Sequence, residues 1–172
     1  MEDSILRNPH LEGGPFFWKA GPVGVLLLHG MTSTTAEMRP FARFLYERGY
    51  TVAGPLFPGH GTTPQDLSRR KWTEWAASAG DAYQYLTSIC DQVFVAGASM
   101  GGLLALFLAS KQAEITGLLL YAPALYIPRA QYAYLFSLFV PSVRKRPGGE
   151  WMPWQGYRVN PLGAVAQLYR LQ

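Results

Sequence analysis

The order in which apolar runs and helical patterns alternate most constrains the fold of this 172-residue chain. Short β-prone runs of strand length occupy residues 16–19, 23–28, 51–53, 92–96 and 117–122. Apolar residues recur at helical spacing, or form strong helix-forming runs, over residues 38–45, 72–88 and 103–109. Strands that alternate with helices in this way are typical of a parallel sheet covered on both faces. The pattern predicts an α/β fold with a short edge strand at the start and a last helix over 164–171.

Helix boundaries are indicated by capping residues in the first half of the chain. Thr34 and Glu37 have the spacing of a capping box, in which each side chain bonds the backbone of the other. Pro40 fits the first turn of the helix that follows, and Gly49 supplies its stop. We therefore expect a helix to begin directly after the Gly/Ser/Thr-rich loop at residues 29–34.

Residues 97–101 read Gly-Ala-Ser-Met-Gly and lie between a predicted buried strand and a predicted helix. In a nucleophile elbow, a serine at this place in a Gly-x-Ser-x-Gly pattern occupies a strained turn that exposes its hydroxyl. In chains of this length and glycine content, the pattern alone is expected by chance in roughly one of ten. Its position between strand and helix is what makes Ser99 a candidate nucleophile.

Composition favours one domain with a large apolar core. Hydrophobic residues make up 49% of the chain and charged residues 15%, so most segments should be buried or covered by another element. The net charge of +4 comes largely from two short clusters, at residues 69–71 and 144–146. We expect these to be solvated loops, because a nucleic-acid binder usually carries a longer basic stripe.

The single cysteine, Cys90, excludes an internal disulfide framework and fits a reducing compartment. We interpret it as an inert, half-buried thiol. The first residues show no apolar leader, and the most apolar late stretch, residues 132–140, is too short to span a bilayer. The sequence thus predicts a cytoplasmic protein with neither a membrane span nor a nucleic-acid partner.

Three motifs, in this order and spacing, resemble those of the α/β-hydrolase superfamily. They are Val-Leu-Leu-Leu-His-Gly at residues 25–30, Pro-Gly-His-Gly at 58–61 and Gly-Ala-Ser-Met-Gly-Gly at 97–102. The resemblance covers residues 16–171 and is greatest to the bacterial carboxylesterase and monoacylglycerol lipase group. It implies a partial α/β-hydrolase fold, with a mostly parallel sheet, helices on both faces and a small cap.

The same resemblance implies that Ser99 accepts an acyl group from an ester. The oxyanion hole of this fold uses the backbone N–H after the nucleophile and one from the loop after the early strand, here Met100 and Met31. The loop and elbow glycines are Gly30, Gly97 and Gly101. No cofactor and no metal are implied. The expected ligand is a small ester with an apolar acyl group, cleaved through an acyl-Ser99 intermediate.

The chain departs from the family in the partners of the serine. The triad of this fold runs serine, acid, histidine along the chain, but His10, His29 and His60 all precede Ser99. No aspartate or histidine follows Ser99 in this sequence. The acidic residues after Ser99 are Glu114 and Glu150. We expect no histidine nitrogen within about 3 Å of the Ser99 hydroxyl, the reach of a general base.

The earlier titratable residues have structural interpretations. We expect His29 and His60 to brace loops, His10 to be solvated and Glu114 to lie on the surface. Asp81 and Asp91 come before the position at which the family carries its acid. The acid and the base would then come from a missing carboxy-terminal half or from a partner chain.

The resemblance divides the chain into an amino-terminal hydrolase core at 1–125 and a cap at 126–172, with the carboxy-terminal core strands absent. The aromatic residues after 125 pack onto the body or form an apolar lid over a lipophilic pocket, and the two interpretations are compatible. A non-catalytic binding module on this scaffold, and a related acyltransferase or peptidase, remain alternatives. Without a neighbour, the strand at 117–122 exposes an edge, so we expect the chain to associate or to be poorly soluble.

Overall fold

The structure, a computed structural model, describes residues 5–145 and 154–172. Its strands are β1 Leu6–Arg7, β2 Phe16–Trp18, β3 Val23–Leu28, β4 Thr51–Gly54, β5 Gln92–Ala98, β6 Gly117–Tyr121, β7 Ser142–Arg144, β8 Gly156–Tyr157 and β9 Val159–Pro161. Its α-helices are α1 Arg39–Tyr46, α2 Pro64–Arg69, α3 Trp72–Thr87, α4 Met100–Ala109, α5 Ala133–Ser137 and α6 Leu162–Leu171. Short 3-10 helices cover Thr35–Glu37 and Ala130–Tyr132.

The central sheet has the order β2-β4-β3-β5-β6. All neighbouring pairs are parallel except the edge strand β2, which runs antiparallel to β4. In the register, Leu28 pairs with Gly97, and Ala98 pairs with Tyr121. The carboxyl ends of β3, β5 and β6 therefore meet at one edge, which brings the loop after β3 beside the residue that follows β5.

Helices cover both faces of the sheet, which confirms the α/β-hydrolase fold class. On one face, α1 packs against Val25, Leu27 and Ala96. On the other, α3, α4 and α6 enclose a larger core that includes Leu26 and Val95. The alternation of side chains along β3 and β5 supplies an apolar residue to each face in turn.

The first part of the chain departs from the sequence prediction in three places. α2 was not predicted, although Thr63 caps it by accepting a hydrogen bond from Asp66 N–H at 3.1 Å. The capping box does not form: Thr34 Oγ1 accepts from Ala36 N–H at 3.4 Å rather than from Glu37 N–H, the Glu37 carboxylate bonds Gly30 N–H, and Thr34 N–H donates to Gln155 O at 3.0 Å. The lead-in is not wholly irregular, since β1 pairs with β8.

The cap segment holds short strands that no sequence pattern indicated. β7 pairs antiparallel with β9. The predicted final helix is present as α6, and its Ala164 and Leu168 join the same core as α3 and α4. The division of the chain at residue 125 stays a prediction.

The aromatic residues of the cap behave in two ways. Tyr157 is fully buried, as the packing interpretation expects. Tyr126 and Phe139 are each 79% exposed, and Tyr132, Tyr134 and Phe136 are also more than half exposed, so packing onto the body is wrong for them. Trp151 lies outside the described residues.

β6 forms the open edge of the central sheet in the part of the chain that the structure describes. Leu119 is 47% exposed and Tyr121 is 65% exposed, and both face the side on which α1 lies. α1 does not reach far enough to cover them. None of the described helices is long and apolar enough to cross a membrane.

Candidate active site

Ser99 stands at the turn between β5 and α4, in the conformation that an elbow requires. Its φ of 52° and ψ of −112° are unusual for a residue with a side chain. Ser99 N–H donates to Tyr121 O at 3.0 Å, and Ser99 O accepts from Ala124 N–H at 3.1 Å. These bonds fix the turn to the end of β6. Ser99 itself is exposed to solvent.

The two elbow glycines are required because other backbone atoms pass very close to them. A Cβ built at Gly97 would lie 2.2 Å from Gly101 O. A Cβ built at Gly101 would lie 2.1 Å from Leu28 O. Both distances are far inside van der Waals contact, so a side chain at either position would force β3, β5 and α4 apart.

The loop after β3 lies against the elbow. A Cβ built at Gly30 would be 3.4 Å from Ser99 Cβ, so the loop after β3 passes beside the serine at the residue that precedes Met31. Gly30 N–H is occupied by the Glu37 carboxylate. Met100 is the first residue of α4, so its N–H is one of the donors that a helix leaves without an internal partner. The assignment of the Met31 and Met100 N–H groups to an oxyanion hole stays a prediction.

Glu37 is a residue whose role the sequence pattern did not indicate. Its carboxylate is largely buried, and burial raises its pKa, while hydrogen bonds from Gly30 N–H and the Ser33 hydroxyl and the charge of Lys145 oppose the rise. The bond to Gly30 fixes the peptide that precedes Met31. Only the folded loop shows this role, because the Thr34-to-Glu37 spacing is equally typical of a helix cap.

Lys145, from the end of β7, reaches the same loop. Its ammonium donates to Thr32 Oγ1 and lies 4.4 Å from the centre of the Trp154 ring. Burial lowers its pKa to about 8, attraction to Glu37 raises it, and Arg7 lowers it again. The expectation of a solvated loop at residues 144–146 is therefore wrong for Lys145, and Arg146 lies outside the described residues.

His29 braces the loop after β3 rather than serving Ser99. Its Nε2 accepts a hydrogen bond from Phe57 N–H at 3.1 Å, so Nδ1 carries the proton and donates to Gly30 O at 2.9 Å. The ring is fully buried, and this burial lowers its pKa to about 4. With both nitrogens engaged and neutral, His29 holds the loop in place.

His60 has a similar setting. Its Nδ1 pairs with Phe57 O at 3.2 Å, and its ring packs against His29 with centroids 4.8 Å apart. Its Nε2 is buried and has no hydrogen-bond partner among the described residues. Burial, followed by the neighbouring His29, lowers its pKa well below the ordinary value.

No described histidine nitrogen hydrogen-bonds Ser99. His10, Asp81, Asp91 and Glu114 are exposed, and Glu150 lies outside the described residues. Cys90 is half-buried, and burial raises the pKa of its thiol, which agrees with an inert residue. Among the described residues there is also no group of three or more side chains that could hold a metal ion.

A mostly apolar cavity of about 460 Å³ lies between α1 and the end of the sheet. Its walls are Glu37, Met38, Phe41, Ala96, Gly97, Ala98, Leu119, Leu120 and Tyr121. The cavity therefore extends from β5, the strand that precedes Ser99, to the exposed edge strand β6. It marks a region of sheet that no described element covers.

A family model described as "Serine aminopeptidase, S33" (Hydrolase_4) matches residues 23–154. The chain belongs to the Hydrolase_4 family. The match includes all three sequence motifs and the whole of the elbow. Ser99 lies inside the matched range, and its role as a nucleophile stays a prediction.

Curated relatives of this Hydrolase_4 chain are named as ester hydrolases. It is 44% identical over 123 residues to a protein of Bacillus sp. (strain H-257) named thermostable monoacylglycerol lipase, covering 71% of this chain and 49% of the relative. It is 41% identical over 93 residues to a Bacillus subtilis (strain 168) carboxylesterase, covering 54% of this chain and 38% of the relative. The chain spans half or less of the length of these relatives.

Solved structures give the same family fold. A structure reported for the metagenome-derived lipolytic enzymes LipS and LipT has a TM-score of 0.84 and 28% identity, covering 94% of this chain and 69% of its own. The monoacylglycerol lipase of Paleococcus ferrophilus has a TM-score of 0.70 at 15% identity, covering 94% and 70%. At that identity the second likeness concerns the fold alone.

Proposed function

We propose that this chain supplies the nucleophile, the oxyanion hole and the cap of a serine ester hydrolase. The observation that carries the proposal is the conformation of Ser99, whose left-handed backbone places it in a tight turn between the carboxyl end of β5 and the start of α4. The names of the curated relatives, monoacylglycerol lipase and carboxylesterase, support ester cleavage. Gly30, Gly97 and Gly101 shape this site, and Met31 and Met100 contribute only their backbone N–H groups.

The reaction is acyl transfer in two halves. Ser99 Oγ attacks the ester carbonyl carbon and gives its proton to a base, and the carbonyl oxygen gains a negative charge. The N–H groups of Met31 and Met100 stabilise that charge, a contribution of about 3 kcal/mol for one such donor. The C–O bond to the alcohol then breaks, the alcohol takes up the proton, and water releases the acyl group from Ser99 by the reverse sequence.

The base and its acid come, in this proposal, from a further polypeptide segment. A serine hydroxyl is a weak nucleophile without an adjacent base, and His29 is held neutral in other bonds. The open edge of β6 and the exposed Leu119 and Tyr121 offer the place for an added strand and a covering helix. That segment is either a carboxy-terminal half of the same polypeptide or a partner chain.

The substrate class is inferred from the exposed apolar side chains of the cap. The exposed apolar side chains of α5 and its flanks favour an ester with an apolar acyl group, such as a monoacylglycerol. Lysophospholipids belong to the same class of ester. We also propose a cytoplasmic location, because the free thiol of Cys90 suits a reducing compartment.

Labelling with a fluorophosphonate tests the proposal. The chain is produced alone and together with the half of the Bacillus sp. (strain H-257) relative that it does not match. We expect phosphonylation of Ser99, detected by intact mass, only in the second sample. Ser99→Ala abolishes labelling, and Ser110→Ala, at an exposed serine elsewhere, leaves it unchanged.

A second candidate function is a non-catalytic binding module on the same scaffold. It is favoured by the absence of a described histidine beside Ser99. Absence of labelling in both samples, with a folded chain by circular dichroism, would support the binding module instead. The aminopeptidase description of the family leaves peptide cleavage as an alternative, which a panel of ester and amide substrates separates.

A further inference from the structure

A second cavity, of about 530 Å³, lies beside the cap, away from the sheet edge. Three of its lining residues are cationic: Arg144, Lys145 and Arg158. The remaining walls come from Ile5, Pro64, Gln65 and Val159. No described residue that lines it is acidic.

Backbone pairing fixes the three cations relative to one another. Arg144 ends β7, where it pairs with Val159 of β9. Lys145 N–H donates to Arg158 O at 3.1 Å and so extends this two-stranded ribbon by one step. The cluster is therefore built on hydrogen-bonded backbone rather than on a free loop.

Lys145 connects the cavity to the loop after β3. It is half-buried, bonds Thr32 Oγ1 and lies over the Trp154 ring. Arg144 and Arg158 are exposed, and neither makes an ion pair with a described carboxylate. Isolated surface cations are normally solvated and need no ligand, but here two guanidinium groups line one cavity together with a half-buried ammonium, whose charge the nearby Glu37 offsets only in part.

Guanidinium groups bind phosphate through two parallel N–H···O bonds, and a lysine adds a point charge. Three positive charges suit a doubly charged phosphate better than a single carboxylate. We propose that this cavity, which we call the cationic pocket, binds the phosphate group of a small phosphorylated molecule. This function goes beyond the proposed ester hydrolysis and does not depend on it.

Calorimetric titration of the chain with inorganic phosphate, glycerol 1-phosphate and glycerol tests the cationic pocket. We expect both phosphates to bind and glycerol not to bind. The double variant Arg144→Gln/Arg158→Gln should weaken phosphate binding at least about tenfold, the loss expected for charge-assisted contacts. Arg43→Gln, which makes a single charge change on exposed α1, is the control and should alter affinity less than about twofold.

The titrations with inorganic phosphate and with glycerol 1-phosphate together distinguish the source of the phosphate. Tighter binding of glycerol 1-phosphate assigns the pocket to an organic phosphate, and equal affinity assigns it to the free ion. If the double variant does not fold, Gln65→Trp replaces it, because a large side chain there fills the cavity without changing its charge.

Three results would overturn the proposal: no binding of either phosphate, equal weakening by Arg43→Gln, or unchanged binding in the folded variants. Binding to phosphatidylglycerol vesicles without binding to the soluble phosphates would also overturn it and assign the cations to a membrane surface. Since none of these measurements needs hydrolysis, failure here is distinguishable from failure of the proposed function.

Discussion

At the scale of single residues, the elbow glycines tolerate no added carbon. Gly97→Ala places a methyl group 2.2 Å from Gly101 O. Because Gly101 O is a backbone atom, it cannot move aside as a flexible side chain would. We expect the free energy of unfolding to fall by about 3 kcal/mol, the upper range for overpacking. Urea titration followed by circular dichroism measures it.

Gly80→Ala is the matched control for that variant. Gly80 lies inside α3 with open space around its Cβ position. Alanine there should raise stability by about 1 kcal/mol, because it restricts the unfolded chain and favours the helix. Equal stability of the two variants would contradict the close approach at the elbow.

His29 gives the fold a dependence on pH. Its folded pKa of about 4 lies below its ordinary value of 6.5, so the unfolded chain takes up the proton first. The stabilisation is complete above pH 6.5 and decreases as the pH falls towards 4, by about 3 kcal/mol in total. His60, whose pKa is also lowered by burial, contributes with the same sign.

Unfolding free energies measured at pH 7, 5.5 and 4.5 test this dependence. His29→Asn should be less stable at pH 7 and should lose less stability on acidification than the parent chain. His10→Asn, at an exposed position, should follow the parent curve. Parallel curves for the parent and His29→Asn would show that His29 is not the group that titrates.

At the scale of elements, the strands were the most predictable part of the fold. β3 and β5 are buried parallel strands and β6 is a parallel edge strand, and the continuous apolar runs of all three differ plainly from the loops between them. α2 was missed because six residues cannot show a helical period, although Thr63 and Pro64 are typical of a helix start. β1, β7, β8 and β9 have two or three residues each, so pairing between distant segments creates them.

The open strand β6 should govern the association of the chain. Leu119→Lys places a charge on its exposed face, where it opposes contact between two apolar edges. We expect the parent chain to associate and the variant to shift towards monomer. Multi-angle light scattering at several concentrations measures this.

Tyr85→Lys is the control, because Tyr85 is 52% exposed on α3, away from β6. It should leave the association unchanged. A parent chain that stays monomeric at all concentrations would contradict the role assigned to β6.

At the scale of the whole molecule, the burial of apolar residues is less complete than the composition predicts. A chain with 49% hydrophobic residues and 15% charged residues was expected to bury most of its apolar segments or to have them covered. The core does so around Trp75 and Tyr157, but Leu119, Tyr126 and Phe139 are exposed. The sequence could not locate this surface, because the hydropathy of a residue does not show whether the folded chain buries that residue or leaves it exposed.

The sequence alone determined the α/β class, the family motifs and the candidate nucleophile, because strand and helix periods and the Gly-x-Ser-x-Gly pattern are local. It also indicated that no histidine follows Ser99. Only the tertiary structure decided that Glu37 bonds Gly30 rather than its own helix, that His29 is neutral and engaged, and that Lys145 meets Thr32. These roles join residues that are distant in sequence, and their energies depend on burial, which exists only once the chain is folded.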